Sequence, residues 1–400
     1  VKEMRFLSGI RRAVGLPSFN HRILNKGKHI GRNILDATGD YEGYVYERMA
    51  QYWDMSRYTL PHISVYSNGN FKTSIYKASE PSPCLDEIFY KQENLIPYGK
   101  EYWFAIFTSM DSKKPMQLIS CFGRRNSRKS VIDNVEIGND NPGDGVLKMG
   151  AFAWCFDGKK KLVAPAVEAL TTFTGQSIKS EGDGLSIDIS GTVPLYKVKI
   201  DSDAIKCDLN LQKPSFGYDE EVLNELKMGL NYQVYNLYYN FDGTLNGKEY
   251  KGRCYLQKVI LSTPLIPWHW GRLIFPDGSF FVFFKPYFGS PDLNYPLRNK
   301  GIFYSAQHDR LFWVYNIEVQ HDSRKVNWKF TSQGEDYSLN VAVKAYANHS
   351  FNFRYGGAFN YNEHMVNVKK FDFRMGDVKI NMKKLGTGAG IVEDATGLLI

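Results

Sequence analysis

Short runs of alternating apolar and polar residues, separated by turn dipeptides, recur along most of the chain. Turn signals stand at Asn68-Gly69, Asp157-Gly158, Asp183-Gly184, Asp242-Gly243, Asn246-Gly247, Asp277-Gly278 and Gly376-Asp377. They are flanked by segments such as HISVYS, LSIDIS, VYNLYYNF and VKKFDFRM, in which every second residue is apolar. This pattern predicts antiparallel hairpins assembled into sandwiches or barrels, an all-β protein. Helical periodicity is scarce. Residues 43–56 form one candidate. Residues 219–228 form another: Asp219, Glu220 and Glu221 suit a helix N-terminus, Val222, Leu223 and Leu226 share a face, and Gly229 closes it. A helix there would link two strand-rich halves.

The stretch 241–289 is the most informative. Its Asn246-Gly247 and Asp277-Gly278 turns predict consecutive hairpins. A two- or four-residue loop at the second turn pairs Phe275 with Phe280. One face then carries Trp268, Trp270, Arg272, Ile274, Phe281, Phe283, Lys285 and Tyr287, with Trp270 opposite Lys285 and Arg272 opposite Phe283. The other face, with His269, Leu273, Phe275, Phe280, Val282 and Phe284, is almost purely apolar. Neither face suits open water, so the hairpin is expected to be covered on both sides, as in a barrel packed on a second barrel.

Length and composition add limits. Four hundred residues are enough for two domains with ample cores, and a 15% aromatic content favours strands. No run of 18 apolar residues is present. Five scattered cysteines, odd in number and without metal-ligand spacing, predict reduced thiols in an intracellular protein. The net charge of +8 is concentrated: residues 1–35 carry eight Lys and Arg against Glu3 alone. With Met4, Ile10 and Val14 at helical spacing, this arm is expected either to dock as an amphipathic helix or to meet an anionic membrane surface. The basic loops at 123–130 and 159–161 lack interleaved aromatics, and no specific nucleic-acid partner is expected.

Motifs for chemistry are sparse. The histidines show neither HxH nor HExxH spacing, so no metal is expected, and His308-Asp309 and His321-Asp322 are strand neighbours that point to opposite faces. The run 386–390 (GTGAG) has too little chain after it for a dinucleotide-binding unit, and no cofactor is expected.

Three segments carry a family resemblance: FDGTLNGKEYKGRCYLQKV (241–259), PWHWGRLIFPDGSFFVFF (267–284) and GTGAGIVEDATG (386–397), with a looser match at 102–124. In their order and spacing they resemble the carotenoid 1,2-hydratase (hydroxyneurosporene synthase) and AttH-like superfamily of tandem lipocalin-like β-barrels. Combined with the charge and helical patterns above, this resemblance divides the chain into a basic, partly helical arm at 1–59, a first barrel at 60–217, a linker helix at 218–230 and a second barrel at 231–400. It places Glu393 on the family's acidic position. It also places Gln257, Lys258 and Ile260 where the family has acidic, histidine and tryptophan residues, so the family's histidine proton donor is absent and Lys258 is its candidate substitute.

The expectation is a hydrophobic small molecule, isoprenoid or lipid-like, held in a barrel cavity of a cytoplasmic protein that can sit peripheral to a membrane. Tyr255, Gln257, Trp268, Trp270, Arg272, Phe283, Lys285 and Tyr287 are the candidate binding residues. If the chain is an enzyme, it is a cofactor-free lyase or isomerase of the hydratase or cyclase type. Glu393 and Lys258 then supply acid-base chemistry, and ring faces stabilise a carbocation. The alternative is a non-enzymatic module in which the arm binds a membrane or another polyanion.

Overall fold

The structure is a computed structural model. It describes residues 71–77 and 88–399, apart from short stretches at 93–94, 96–97, 112–114, 139–142, 144, 193, 216, 226–230, 262–264, 289–294 and 297–298. The basic arm, the helix candidate at 43–56 and the Asn68-Gly69 turn lie outside the described residues.

The first fourteen strands are β1 (Phe71–Lys77), β2 (Lys100–Ser109), β3 (Gln117–Arg125), β4 (Lys129–Ile132), β5 (Val135–Gly138), β6 (Leu147–Phe156), β7 (Lys161–Phe173), β8 (Ser177–Gly182), β9 (Leu185–Thr192), β10 (Leu195–Ser202), β11 (Lys206–Gln212), β12 (Tyr218–Glu225), β13 (Asn231–Leu245) and β14 (Lys248–Leu261). Ten of them close into an antiparallel barrel in the order β13-β11-β10-β9-β8-β7-β6-β3-β2-β14, with β14 returning to β13. β12 and then β1 extend the wall from β13. Alternation decides which face turns inward. In β10, Tyr196, Val198 and Ile200 are buried while Lys199 and Asp201 are exposed. Trp103, Phe107, Phe122, Leu209, Tyr239 and Tyr250 are among the side chains that fill the lumen.

The remaining strands are β15 (Trp268–Ile274), β16 (Phe280–Phe288), β17 (Tyr295–Pro296), β18 (Lys300–Ser305), β19 (Arg310–Tyr315), β20 (Glu318–His321), β21 (Asn327–Gln333), β22 (Tyr337–Arg354), β23 (Gly357–Met375), β24 (Val378–Asn381) and β25 (Ala389–Leu399), with a one-turn helix α1 (Met382–Leu385) before the last. Nine form a curled antiparallel sheet, β19-β18-β16-β15-β25-β23-β22-β21-β20, around a core rich in phenylalanine: Phe283, Phe303, Phe312, Phe330, Phe371 and Phe373. Among the described residues no backbone ladder joins its two ends. Side chains bridge the seam instead. Ser332 Oγ and Tyr337 Oη both donate to the Tyr315 carbonyl, and Tyr337 Oη accepts from the Tyr315 amide at 2.9 Å. The hairpin β4–β5, although it belongs to the first half of the chain, pairs with β22 of this second sheet through Ile132↔Phe353 and Val131↔Arg354.

The all-β tandem architecture is the one expected, with four corrections. Residues 218–225 form strand β12 rather than the start of a linker helix, because β1 and β13 supply ladder partners along both of its edges and this outweighs a weak helical propensity. The division at 218–230 is displaced as well: β13 and β14 complete the first barrel, and, the β4–β5 hairpin apart, the chain enters the second sheet at β15. The Asn246-Gly247 turn does join β13 to β14 in two residues, Leu245 facing Lys248. Asp242-Gly243, by contrast, is no turn. Gly243 lies inside β13 with φ 152°, where a Cβ would run into the Asp208 carbonyl.

The fourth correction concerns register. Ile274, not Phe275, faces Phe280, and Phe275 N donates to Ser279 O at 2.9 Å, which leaves a three-residue turn over 276–278. Gly278 adopts φ 95° there, and Asp277 Oδ1 accepts from Ser279 N at 3.0 Å. A shift of one residue moves every side chain of β16 to the opposite face relative to β15. Trp268, Trp270 and Arg272 therefore share a face with Val282 and Phe284, whereas Phe283 and Lys285 share the inner face with His269 and Leu273.

Candidate active site

Side chains pack the interior of the first barrel and the inner face of the curled second sheet. The space lies between the barrels. The outer faces of β2, β3 and β6 present Phe104, Ile106, Ile119, Phe152 and Trp154 to Trp270, Phe351, Met365 and Ile391 from the second sheet. This shared wall encloses a cavity of about 770 Å³, a size that suits a small organic ligand. Phe104, Phe152, Asn236 and Gln257 line it from the first barrel; Trp268, Trp270, Tyr361 and Glu393 line it from the second.

Two buried carboxyl groups occupy the second-barrel wall. Glu363 on β23 and Glu393 on β25 are direct cross-strand partners, and a directly opposed pair shares one face of the sheet. Glu393 Oε1 accepts from Tyr361 Oη at 2.6 Å, and its Oε2 accepts from Trp268 Nε1 at 3.0 Å. Glu363 Oε2 accepts from Trp154 Nε1, which reaches across from the first barrel, while Glu363 Oε1 has no hydrogen-bond partner. Burial, reinforced by the neighbouring Glu393 charge, pushes the Glu363 carboxyl up to about 8. Burial raises Glu393 to about 7 against the opposing hydrogen bonds from Tyr361 and Trp268. Two carboxyls so close in a desolvated wall resist double ionisation, and one proton stays with the pair near neutrality.

The sequence-predicted residues divide. Trp268, Trp270, Gln257 and Glu393 come together at the cavity. Tyr255 lies just behind it: its hydroxyl donates to Asn236 Oδ1 at 2.6 Å, and Gln257 Nε2 donates to both Asn236 Oδ1 at 3.0 Å and Tyr255 Oη at 2.8 Å. Arg272 is buried beside the cavity in an aromatic cage, 4.2 Å from the Tyr255 ring centroid, 4.9 Å from Tyr238 and 5.0 Å from Phe280. It acts there as an inter-barrel clamp. Lys258 is a correction. It shares the lumen-facing side of β14 with Leu256, sits 3.7 Å from Glu101 Oε1 and donates to the Tyr90 carbonyl, so it cannot replace a proton donor at the cavity. Phe283 packs into the second core 4.8 Å from Phe330 and also lines the cavity, whereas Lys285 and Tyr287 flank His269 on the inner side, as the register shift requires.

Glu363 escaped the sequence reading. Its segment, FNYNEHMV, shows alternation but nothing to mark the carboxyl as buried, and its partner lies 30 residues away. A second titratable group lies on the opposite face. His269 Nε2 is 3.2 Å from Asp394 Oδ1, and Lys325 Nζ also pairs with Asp394. Burial opposes ionisation of Asp394, but these two partners hold it down at about 2. Among the described residues no group of three or more His, Cys, Asp or Glu is placed to hold a metal ion, and no helix is long and apolar enough to cross a membrane.

No family model and no curated protein matches the chain. Solved structures do resemble it in fold. A protein described as AttH from Nitrosomonas europaea is 13% identical, with a TM-score of 0.49 over 80% of this chain and 98% of that one. CghA, solved with Sch210972, is 10% identical, with a TM-score of 0.48 over 81% and 98%. Kievitone hydratase from Nectria haematococca is 11% identical, with a TM-score of 0.45 over 74% and 89%.

Proposed function

We propose that the chain binds a hydrophobic, isoprenoid- or lipid-like molecule between its barrels and performs acid-base chemistry on a carbon–carbon double bond: hydration, cyclisation or isomerisation. The observation that carries this reading is the Glu363–Glu393 pair, buried yet opening through Glu393 onto an aromatic-lined cavity. An acid whose pKa lies near the working pH is both present in its protonated form and willing to donate. Glu393 in its neutral form gives its proton to an alkene carbon. The ring faces of Trp268 and Trp270 stabilise the carbocation at the other carbon. The Glu393 carboxylate then recovers a proton, either from a carbon next to the cation, which moves the double bond, or from a water that adds to it. Glu393 is therefore restored in either course, and no cofactor enters the balance.

Organic extraction of the purified full chain, followed by mass spectrometry, tests occupancy. Incubation of a panel of isoprenoid alcohols in D2O tests chemistry. Glu393→Gln is expected to retain ligand but lose deuterium incorporation by at least about 100-fold. Equal incorporation by the variant removes Glu393 from the reaction. A second reading is favoured by the charge of residues 1–35: the arm tethers this body to an anionic surface. Salt-sensitive binding to phosphatidylserine vesicles that disappears on deleting residues 1–15 would support it, and binding unchanged by the deletion would dismiss it.

A further inference from the structure

The acid pair is one part of a longer row. His349 on β22 is the direct cross-strand partner of Glu363 on β23, Glu363 of Glu393 on β25, and Glu393 of Trp270 on β15. Four adjacent strands thus bring His349, Glu363, Glu393 and Trp270 side by side, and directly opposed side chains in such ladders sit about 5 Å apart at Cβ. The row runs from one environment to another. His349 is half-buried at its outer end, Glu363 is fully buried, and Glu393 lines the cavity. The His349 ring packs 5.7 Å from the ring of Trp154, the residue that donates to Glu363 Oε2. Glu363 Oε1 makes no hydrogen bond of ordinary geometry, although the Tyr361 hydroxyl acts on this carboxyl, and it is the open position of the row.

A bound apolar ligand excludes water from the cavity and closes the front route to the acids. In this row Glu393 stands between Glu363 and Trp270 and lines the cavity, and its two oxygens are engaged by Tyr361 and Trp268. We propose that His349 is a proton relay that connects solvent to the Glu363–Glu393 pair from behind. The inference rests on the acid-pair reading given above. In the inward step, one ring nitrogen of neutral His349 takes a proton from solvent and the other ring nitrogen releases its own to ionised Glu363. Glu363 then passes a proton to ionised Glu393. The imidazole ends neutral with its tautomer exchanged, one proton has moved inward, and nothing is oxidised or reduced. The reverse sequence carries a proton out. The charged groups acting on His349 are Lys161 and Asp133. Those around Glu363 are Glu393 and Tyr361, with the Cys121 thiol nearby on β3. Burial and Lys161 hold His349 down at about 4, so its imidazolium is a passing state and the relay does not store charge.

The test needs no substrate. Trp154 and Trp268 donate to the two carboxyls, so tryptophan fluorescence of the full chain follows their protonation after a stopped-flow pH jump from below to above neutrality. Glu363→Gln and Glu393→Gln assign the signal. His349→Ala and the more conservative His349→Gln are each expected to slow the relaxation by at least about tenfold, and free imidazole is expected to restore the rate in His349→Ala. A purely structural histidine would not give that rescue. Wild-type relaxation rates in both variants, with the pair still titrating, overturn the relay and leave the acid pair standing. If wild-type protein shows no titration across neutrality, the acid pair and the relay fall together.

Discussion

Replacing Glu363 by glutamine should make the protein more resistant to alkaline pH, although it alters a fully buried residue. Glutamine keeps the shape and can accept the Trp154 indole N–H that Glu363 now accepts. What it removes is the linkage to protons. An unfolded glutamate releases its proton near 4.5, whereas the folded one holds it up to about 8. Between those values the folded state binds a proton that the unfolded state has lost, so stability falls as pH rises. Across that interval, at about 1.4 kcal/mol per pH unit, the ceiling is about 5 kcal/mol, and sharing of the proton with Glu393 makes about 3 kcal/mol the working figure. Urea unfolding of wild type and E363Q at a series of pH values measures it, since other titrating groups cancel in the difference. The amide nitrogen that replaces the unpartnered Oε1 adds a cost of about 1–3 kcal/mol, but this is independent of pH and shifts the offset rather than the slope. Wild type should lose stability relative to E363Q steadily from mildly acidic to alkaline pH. Curves parallel to within about 0.5 kcal/mol would refute the argument.

The pair on the opposite face should behave in the reverse sense. Asp394 is held at about 2 in the folded state against 3.8 unfolded, so its contribution is present above 3.8 and is lost as pH falls toward 2. D394N should lack about 2 kcal/mol of the acid-induced loss seen in wild type, measured as the pH dependence of the difference in unfolding free energy; an identical acid limb would contradict the pairing with His269 and Lys325. Cys121 lines the cavity, whereas Cys155, Cys207 and Cys254 are buried in the first barrel's core. Of these four, Cys121 should be the first alkylated by an apolar maleimide, slowly at neutral pH because burial and then the Glu363 and Glu393 charges raise its thiol, and a cavity ligand should protect it. Peptide mapping showing Cys155 reacting first would mean that the lumen, not the space between barrels, is open.

The sequence carried the class of fold and part of the site because both depend on local periodicity. Asn246-Gly247 specifies a two-residue turn almost by itself, and its hairpin forms with Leu245 facing Lys248. Asp277-Gly278 looks equivalent, but Pro276 joins the turn and the Asp277 side chain engages Ser279, which moves the ladder by one place and turns Lys285 and Tyr287 away from the cavity, while Phe283 moves to the inner face and borders the cavity from there. Residues 218–225 read as helical because charge placement and a short apolar face are helix signals. Their strand partners lie elsewhere in the chain, where no local pattern can register them. Glu393 was found by motif, yet its partner Glu363, its donors Tyr361 and Trp268, and the Trp154 bridge depend on pairings across three strands and two barrels. Lys258 was misplaced because motif alignment does not tell which side of a barrel wall a residue occupies.

The hairpin that leaves the first barrel to pair with β22 gives this molecule a mutual dependence that its tandem layout conceals. Were the polypeptide divided before β15, the downstream fragment would lack the two strands loaned to it. The upstream fragment would face water with Phe104, Ile106, Ile119, Phe152 and Trp154, an oily plateau prone to self-association. The chamber between them therefore has no single owner. It comes into being only once both cylinders have matured and met, so a lesion in either abolishes the workplace of both.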